Sequence, residues 1–202
     1  MFEVNPNLTA KVIDVLDSTI IEIQNFYKDP DQVREFAVKS KQYTSTDNPD
    51  LLAYAVGRRV CEDTLELGYQ VMDTFEQLCQ HPKWNIKFDK THHDYYWSGM
   101  RFIVNVSNNL EIVNRDKRIP IQHVDAEYLK WACVVFLNKP DECEGGTGFY
   151  SYDYSAREVV LEHLSEMEYN KLVLYPANMP HGAIMEKNMF KDCDRLVQVM
   201  FM

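Results

Sequence analysis

The sequence predicts a mainly β fold, a sandwich or barrel with helices packed on one side, and three observations carry that prediction. Short runs rich in β-branched and aromatic residues fill most of the chain beyond residue 84. Turns rich in Asn, Gly, Pro and Asp separate most of those runs. Helical periodicity is confined to two segments of the first half, so the helices flank a strand-rich layer rather than alternate with its strands. The chain has 202 residues, enough to bury a substantial core as one domain.

Taken in order, "KVIDVLD" and "TIIEIQNF" are short β-branched runs of partly alternating character and predict two strands. "YKDPDQVREFAVKSK" predicts the first helix. Asp29 can cap it, Pro30 suits its first turn, and Val33, Phe36 and Ala37 give it one apolar face. "TSTDNPDLLAYAVGRR" starts polar and rich in turn formers, which predicts a loop. A second helix is expected in "CEDTLELGYQVMDTFEQLCQ", where Leu65, Gly68, Val71, Met72, Phe75, Leu78 and Cys79 share one stripe. "QHPKW" ends it.

Strands are then expected in "WNIKFD", "YYWSGMRFIVNVS", "KWACVVFLN", "TGFYSYDY", "KLVLYP" and "RLVQVMFM". "SAREVVLEHLSEMEYN" fits either a strand or a short helix. No internal repeat and no low-complexity tract interrupts the pattern.

Composition excludes several functions. Hydrophobic residues make up 46% and charged residues 26%, an ordinary globular balance. A formal charge of −10 argues against a nucleic-acid surface, which needs clustered Lys and Arg. No apolar run approaches the roughly 18 residues of a membrane helix, and no basic-then-apolar leader opens the chain. A cytoplasmic protein is the expectation. The five cysteines (Cys61, Cys79, Cys133, Cys143, Cys193) form no CxxC pair, so no zinc knuckle or thioredoxin-type motif is expected.

The chemistry concentrates around His123-Val124-Asp125. If this stretch is extended, His123 and Asp125 point to the same face, bringing an imidazole nitrogen and a carboxylate oxygen to one ion. His181, in "YPANMPHGAIM", is the candidate third ligand. Two histidines and one carboxylate that leave positions open match the facial arrangement of non-haem Fe(II) oxygenases.

Other histidines compete. His92 and Asp94 form a second H-x-D, read as a polar turn before a strand. His163 is the rival third ligand, with a surface or packing role as the plainer reading. His81 precedes Pro82 at a helix end and suits a C-terminal capping contact.

The ordered set of features resembles the 2-oxoglutarate/Fe(II)-dependent dioxygenase superfamily, in its prolyl-hydroxylase-like branch. It comprises His123-Val124-Asp125, "VVFLN", Gly145-Gly146, His181 and Arg195 in "DRLVQVMF". "IIEIQNFYKDPDQVREFA" resembles the strand and helix that begin that branch. The resemblance implies a double-stranded β-helix (jelly-roll, cupin-like) core over residues 91–202, with strands and supporting helices in 1–90, all in one domain.

It further implies Fe(II) held by His123, Asp125 and His181, with 2-oxoglutarate and O2 as co-substrates. Arg195 would grip the far carboxylate of 2-oxoglutarate through two parallel hydrogen bonds. Lys191 is the runner-up, at the family's more usual spacing from the distal histidine. The implied reaction hydroxylates an unactivated C–H bond of a small molecule, amino acid or peptide side chain, with release of succinate and CO2. Asp125 makes hydroxylation the default, since related halogenases carry a small residue there.

Two alternatives stay open: a jelly-roll binding or structural protein without turnover, and a cupin-type metalloenzyme that does not use 2-oxoglutarate. Gly145-Gly146 reads as a hairpin or bulge that needs positive φ. Tyr150, Tyr152 and Tyr154 fit either pocket lining or ordinary strand aromatics, and Trp131 is equally open.

Overall fold

The computed structural model describes residues 2–39, 42–43, 58–60, 101–105, 122–125, 131–142, 144–184, 189, 193 and 195–201. The second expected helix, the expected strand at 84–89, His81, His92, Asp94 and Lys191 lie outside the described residues.

The chain begins as its β-branched runs predict, with β1 (Thr9–Val15) paired antiparallel to β2 (Ser18–Gln24). Helix α1 spans Pro30–Lys39. Its first turn is capped as expected, since the Gln32 amide donates to Asp29 Oδ1 at 3.1 Å. Val33 and Ala37 are buried, and Phe36 packs beside them.

Short strands β3 (Gln42–Tyr43) and β4 (Arg58–Val60) follow, and then β5 (Arg101–Asn105). Arg58 and Arg59, the end of the expected loop, therefore belong to a strand. The remaining strands are β6 (Trp131–Phe136), β7 (Gly146–Asp153), β8 (Glu158–Glu166), β9 (Leu172–Pro176), β10 (His181–Ile184) and β11 (Arg195–Phe201). The segment that fitted either strand or helix is thus β8.

These strands form two antiparallel sheets. The larger has eight strands in the order β1-β2-β9-β6-β11-β5-β4-β3, and the smaller has three in the order β10-β7-β8. A mainly β molecule with one helix among the described residues results. None of those residues forms a helix long and apolar enough to cross a membrane.

Side-chain alternation splits the large sheet into two apolar faces. One carries Ile21, Ile23, Cys133, Val135, Leu137, Leu172, Leu174, Leu196 and Met200, packed with Phe2, Tyr27 and the α1 residues Val33 and Ala37. The other carries Ile20, Ala132, Val134, Phe136, Val173, Tyr175 and Val197, packed with Phe149 of the small sheet. The helix covers the first face and the small sheet covers the second. Trp131 packs with the helix-side cluster, so it faces away from the space between the sheets.

The Gly-Gly expectation needs correction. Gly145 and Gly146 have φ of 95° and 153°, but they stand at the start of β7, and the β7–β8 hairpin turns at residues 154–157 instead. Their positive φ answers to close backbone approach. A Cβ on Gly145 would sit 2.4 Å from the Ile184 carbonyl oxygen, and one on Gly146 would sit 2.1 Å from that of Ser165. The tyrosines beyond resolve in part. Tyr152 and Tyr154 are 47% and 85% exposed, so they are outward strand and turn aromatics rather than pocket lining.

Candidate metal centre

Three backbone hydrogen bonds place the predicted ligands. The His123 and His181 backbones exchange a reciprocal pair, each amide donating to the other's carbonyl at 2.9 Å. Residues opposed in such an antiparallel pair project their side chains to the same face. The rings accordingly lie 4.5 Å apart between centroids. The Asp125 amide donates to the Ala177 carbonyl at 2.9 Å, which fixes the extended path that returns its carboxylate to the same face.

The three side chains converge. His123 Nε2 lies 3.7 Å from Asp125 Oδ1, and His181 Nε2 lies 3.6 Å from Asp125 Oδ2. One ligand atom from each of the three residues falls within 4.8 Å of the others, so the group could hold a metal ion. The histidine–histidine–aspartate set read from the sequence is therefore brought together. His163 does not join it. It stands on β8 with Nε2 3.4 Å from Glu22 Oε1, in a pairing between the two sheets.

The details suit a cation. His181 Nδ1 lies 2.8 Å from the Met179 carbonyl oxygen; a carbonyl only accepts, so Nδ1 carries the proton and Nε2 presents its lone pair. Burial, aided by the nearby His123, lowers the His181 pKa to about 4 and keeps the ring neutral, the form that ligates metal. Asp125 Oδ2 is buried without a hydrogen-bond partner. Burial raises the Asp125 pKa to about 6, with the His123 charge pulling the other way. A buried carboxylate oxygen that no hydrogen bond satisfies, beside a neutral imidazole lone pair, is a donor set that could hold a positive ion.

Access is one-sided. The Asp125 and His181 side chains are 8% and 6% exposed, whereas that of His123 is 53% exposed. Two ligands are thus rooted in the protein, and the third opens to solvent.

Arg195 begins β11 and is buried, at 4% exposure. Alternation puts it on the same side of the large sheet as Val197, facing the space between the sheets. Sequence reasoning passed over Tyr175 inside "KLVLYP". It is buried, shares that inter-sheet face, and its ring lies 4.5 Å from that of His181. The available signal was its parity with Val173 on a strand that leads to the distal histidine.

No protein-family model matches the chain, and no curated protein matches it.

Proposed function

We propose that this protein is a non-haem Fe(II)- and 2-oxoglutarate-dependent oxygenase that hydroxylates a C–H bond of a small molecule, amino acid or peptide side chain. The observation that carries the proposal is the convergence of His123, Asp125 and His181 within 4.8 Å, one side solvent-accessible. Arg195, buried on the inter-sheet face, supports 2-oxoglutarate as the co-substrate, because a guanidinium there answers a second carboxylate. The fold proposed with it is the double-stranded β-helix. Two facing antiparallel sheets with a shared apolar interior support that reading.

Within this reading His123, Asp125 and His181 would hold the iron, and Arg195 would hold the far carboxylate of 2-oxoglutarate. Bound Fe(II), with 2-oxoglutarate and O2, supplies the oxidative chemistry, coupling decarboxylation to succinate and CO2 with hydroxylation. The protein's part is placement and exclusion of water. His181 is held in one tautomer by Met179, Asp125 contributes negative charge, and Val134, Phe149 and Val173 keep the interior dry.

The deciding experiment adds Fe(II) and 2-oxoglutarate without oxygen and looks for the visible charge-transfer band of the chelate. Succinate release is then followed once oxygen is admitted. Both signals are expected. Metal binding without the band points to a cupin-type site that does not use 2-oxoglutarate. The band without any succinate points to a binding protein. Folded, metal-loaded protein that gives neither signal overturns the proposal.

A further inference from the structure

The small sheet has an outward face that no role above uses. Phe149 of β7 points inward, packed with the large sheet, so alternation turns Gly148, Tyr150 and Tyr152 outward. Their partners on β8 are Leu164, Leu161 and Val159. Strict alternation along β8 would send Leu161 and Val159 inward with His163. The register shift at Phe149 and Tyr150 passes over Glu162 instead, and that extra residue keeps both apolar side chains outward.

Gly148 shows how the face is built. A Cβ there would sit 2.5 Å from the Tyr150 hydroxyl oxygen and 2.9 Å from Leu161 Cδ1. The phenol therefore lies down over the glycine, beside Leu161, rather than standing away from the sheet. Tyr152 continues the surface, its ring meeting that of Tyr154 edge-on at 4.8 Å. Tyr152, Tyr154, Val159 and Leu161 are all exposed. Val124, exposed between two of the candidate metal ligands, alternates to the same side. Exposed apolar side chains gathered on one face, with a polar rim, mark an interaction surface; ordinary surface apolars are scattered singly.

Charge selects the occupant. Residues 144–168, which carry β7 and β8, hold six carboxylates and one arginine. Glu158, Glu162 and Glu166 are exposed along β8. A second copy seated here would bring one acidic β8 against another, and anionic lipid or nucleic acid would meet the same repulsion. A cationic partner meets attraction instead. Exposed tyrosine rings add to it, since their faces hold Lys and Arg side chains.

We infer that the outer face of the small sheet docks a basic polypeptide segment in which Lys or Arg alternates with apolar residues. The apolar side chains lie on Tyr150, Tyr152, Val159 and Leu161, and the cations reach the β8 carboxylates. Docking of this kind needs no metal, so the inference stands independently of the oxygenase reading.

Fluorescence polarisation of the full chain with short labelled peptides, Lys or Arg alternating with Leu, Val or Tyr, gives the test. Binding is expected, and it should weaken as salt is raised. Two control sets replace the cations by Glu or the apolar residues by Ser, and each should bind about tenfold more weakly or worse. Tyr152→Thr and Leu161→Thr keep strand-forming residues at exposed positions, so the melting transition should stay near that of the wild type. Each should weaken the alternating peptides by about tenfold or more.

Alternating peptides that do not bind, or that bind no tighter than the Ser set, overturn the inference. So do peptides that bind but are indifferent to both substitutions, because they dock elsewhere. A wild-type dimer in sedimentation that Leu161→Thr dissolves would give the face to a second copy. Binding to phosphatidylserine vesicles that the same substitution removes would give it to a membrane. Either result also overturns the inference.

Discussion

At Asp125 the demands of the fold and of the site oppose each other. Its carboxylate is mostly buried, and one oxygen has no hydrogen-bond partner, a position that costs stability in the metal-free chain. Asp125→Ala should therefore lower metal affinity by about a hundredfold or more, because one of three ligands and its charge are gone. The metal-free variant should be as stable as wild type or more so, by on the order of 1 kcal/mol. Metal titration and urea unfolding check the two halves separately. A variant that binds metal normally removes Asp125 from the site. Asp125 was legible in the sequence because two-residue alternation alone puts it beside His123. Tyr175 was not, since an aromatic inside an apolar strand looks like core until its neighbours across the sheets are known.

Elements were legible where the signal was local and misread where it came from a distant part of the chain. The cap of α1, the β-branched strands β1 and β2, and Arg195 at the start of β11 all follow from neighbouring residues. The positive φ of Gly145 and Gly146 was legible, but its cause was misplaced in a hairpin, because the backbones that crowd them belong to Ile184 and Ser165, on other strands. β8 was ambiguous for a related reason. Its inward residues His163 and Ser165 are polar, so its apolar alternation is broken. His163 meets Glu22 of β2, and the pair joins the small sheet to the large one. Burial alone would raise the Glu22 pKa, but the Ser165 hydroxyl, the Lys171 ammonium and His163 outweigh it and hold it below its ordinary value. A carboxylate depressed in the folded state contributes stability that is fully present above its unfolded pKa, and that contribution is lost as pH falls through the folded value. Glu22→Gln should thus destabilise the fold at pH 7 by on the order of 1 kcal/mol, and the gap should close below about pH 4.5. Urea unfolding of both proteins at pH 7 and at pH 4 or lower measures this. A gap that stays constant on acidification removes the charge of Glu22 from the account.

The whole molecule could not be assembled from the sequence, because its large sheet is woven from distant parts of the chain. β2 lies beside β9, and β9 beside β6, so the N-terminal strands enter the same sheet as the strands that flank the site. This arrangement couples the candidate metal centre to global stability. His123 and Asp125 sit on a short extended segment that meets its neighbours through reciprocal backbone bonds to His181 and one bond to Ala177. A metal ion shared by all three ligands would fasten that segment to the start of β10, and β10 pairs with β7 across from the large sheet. An unfolded chain would hold the same three ligands far apart and bind the ion weakly, so occupancy should stabilise the fold by mass action. At a free metal concentration one hundred times Kd the gain is about 2.7 kcal/mol. For a chain of this size that corresponds to a rise in melting temperature of about 5–10 °C. Thermal unfolding with Mn(II), with Zn(II) and with a chelator measures it, and Asp125→Ala serves as the control in which the rise should disappear. If the melting temperature of wild type is indifferent to both metals, and that of Asp125→Ala is the same, these three side chains do not bind an ion in the folded protein. The oxygenase reading would then have no metal to work with.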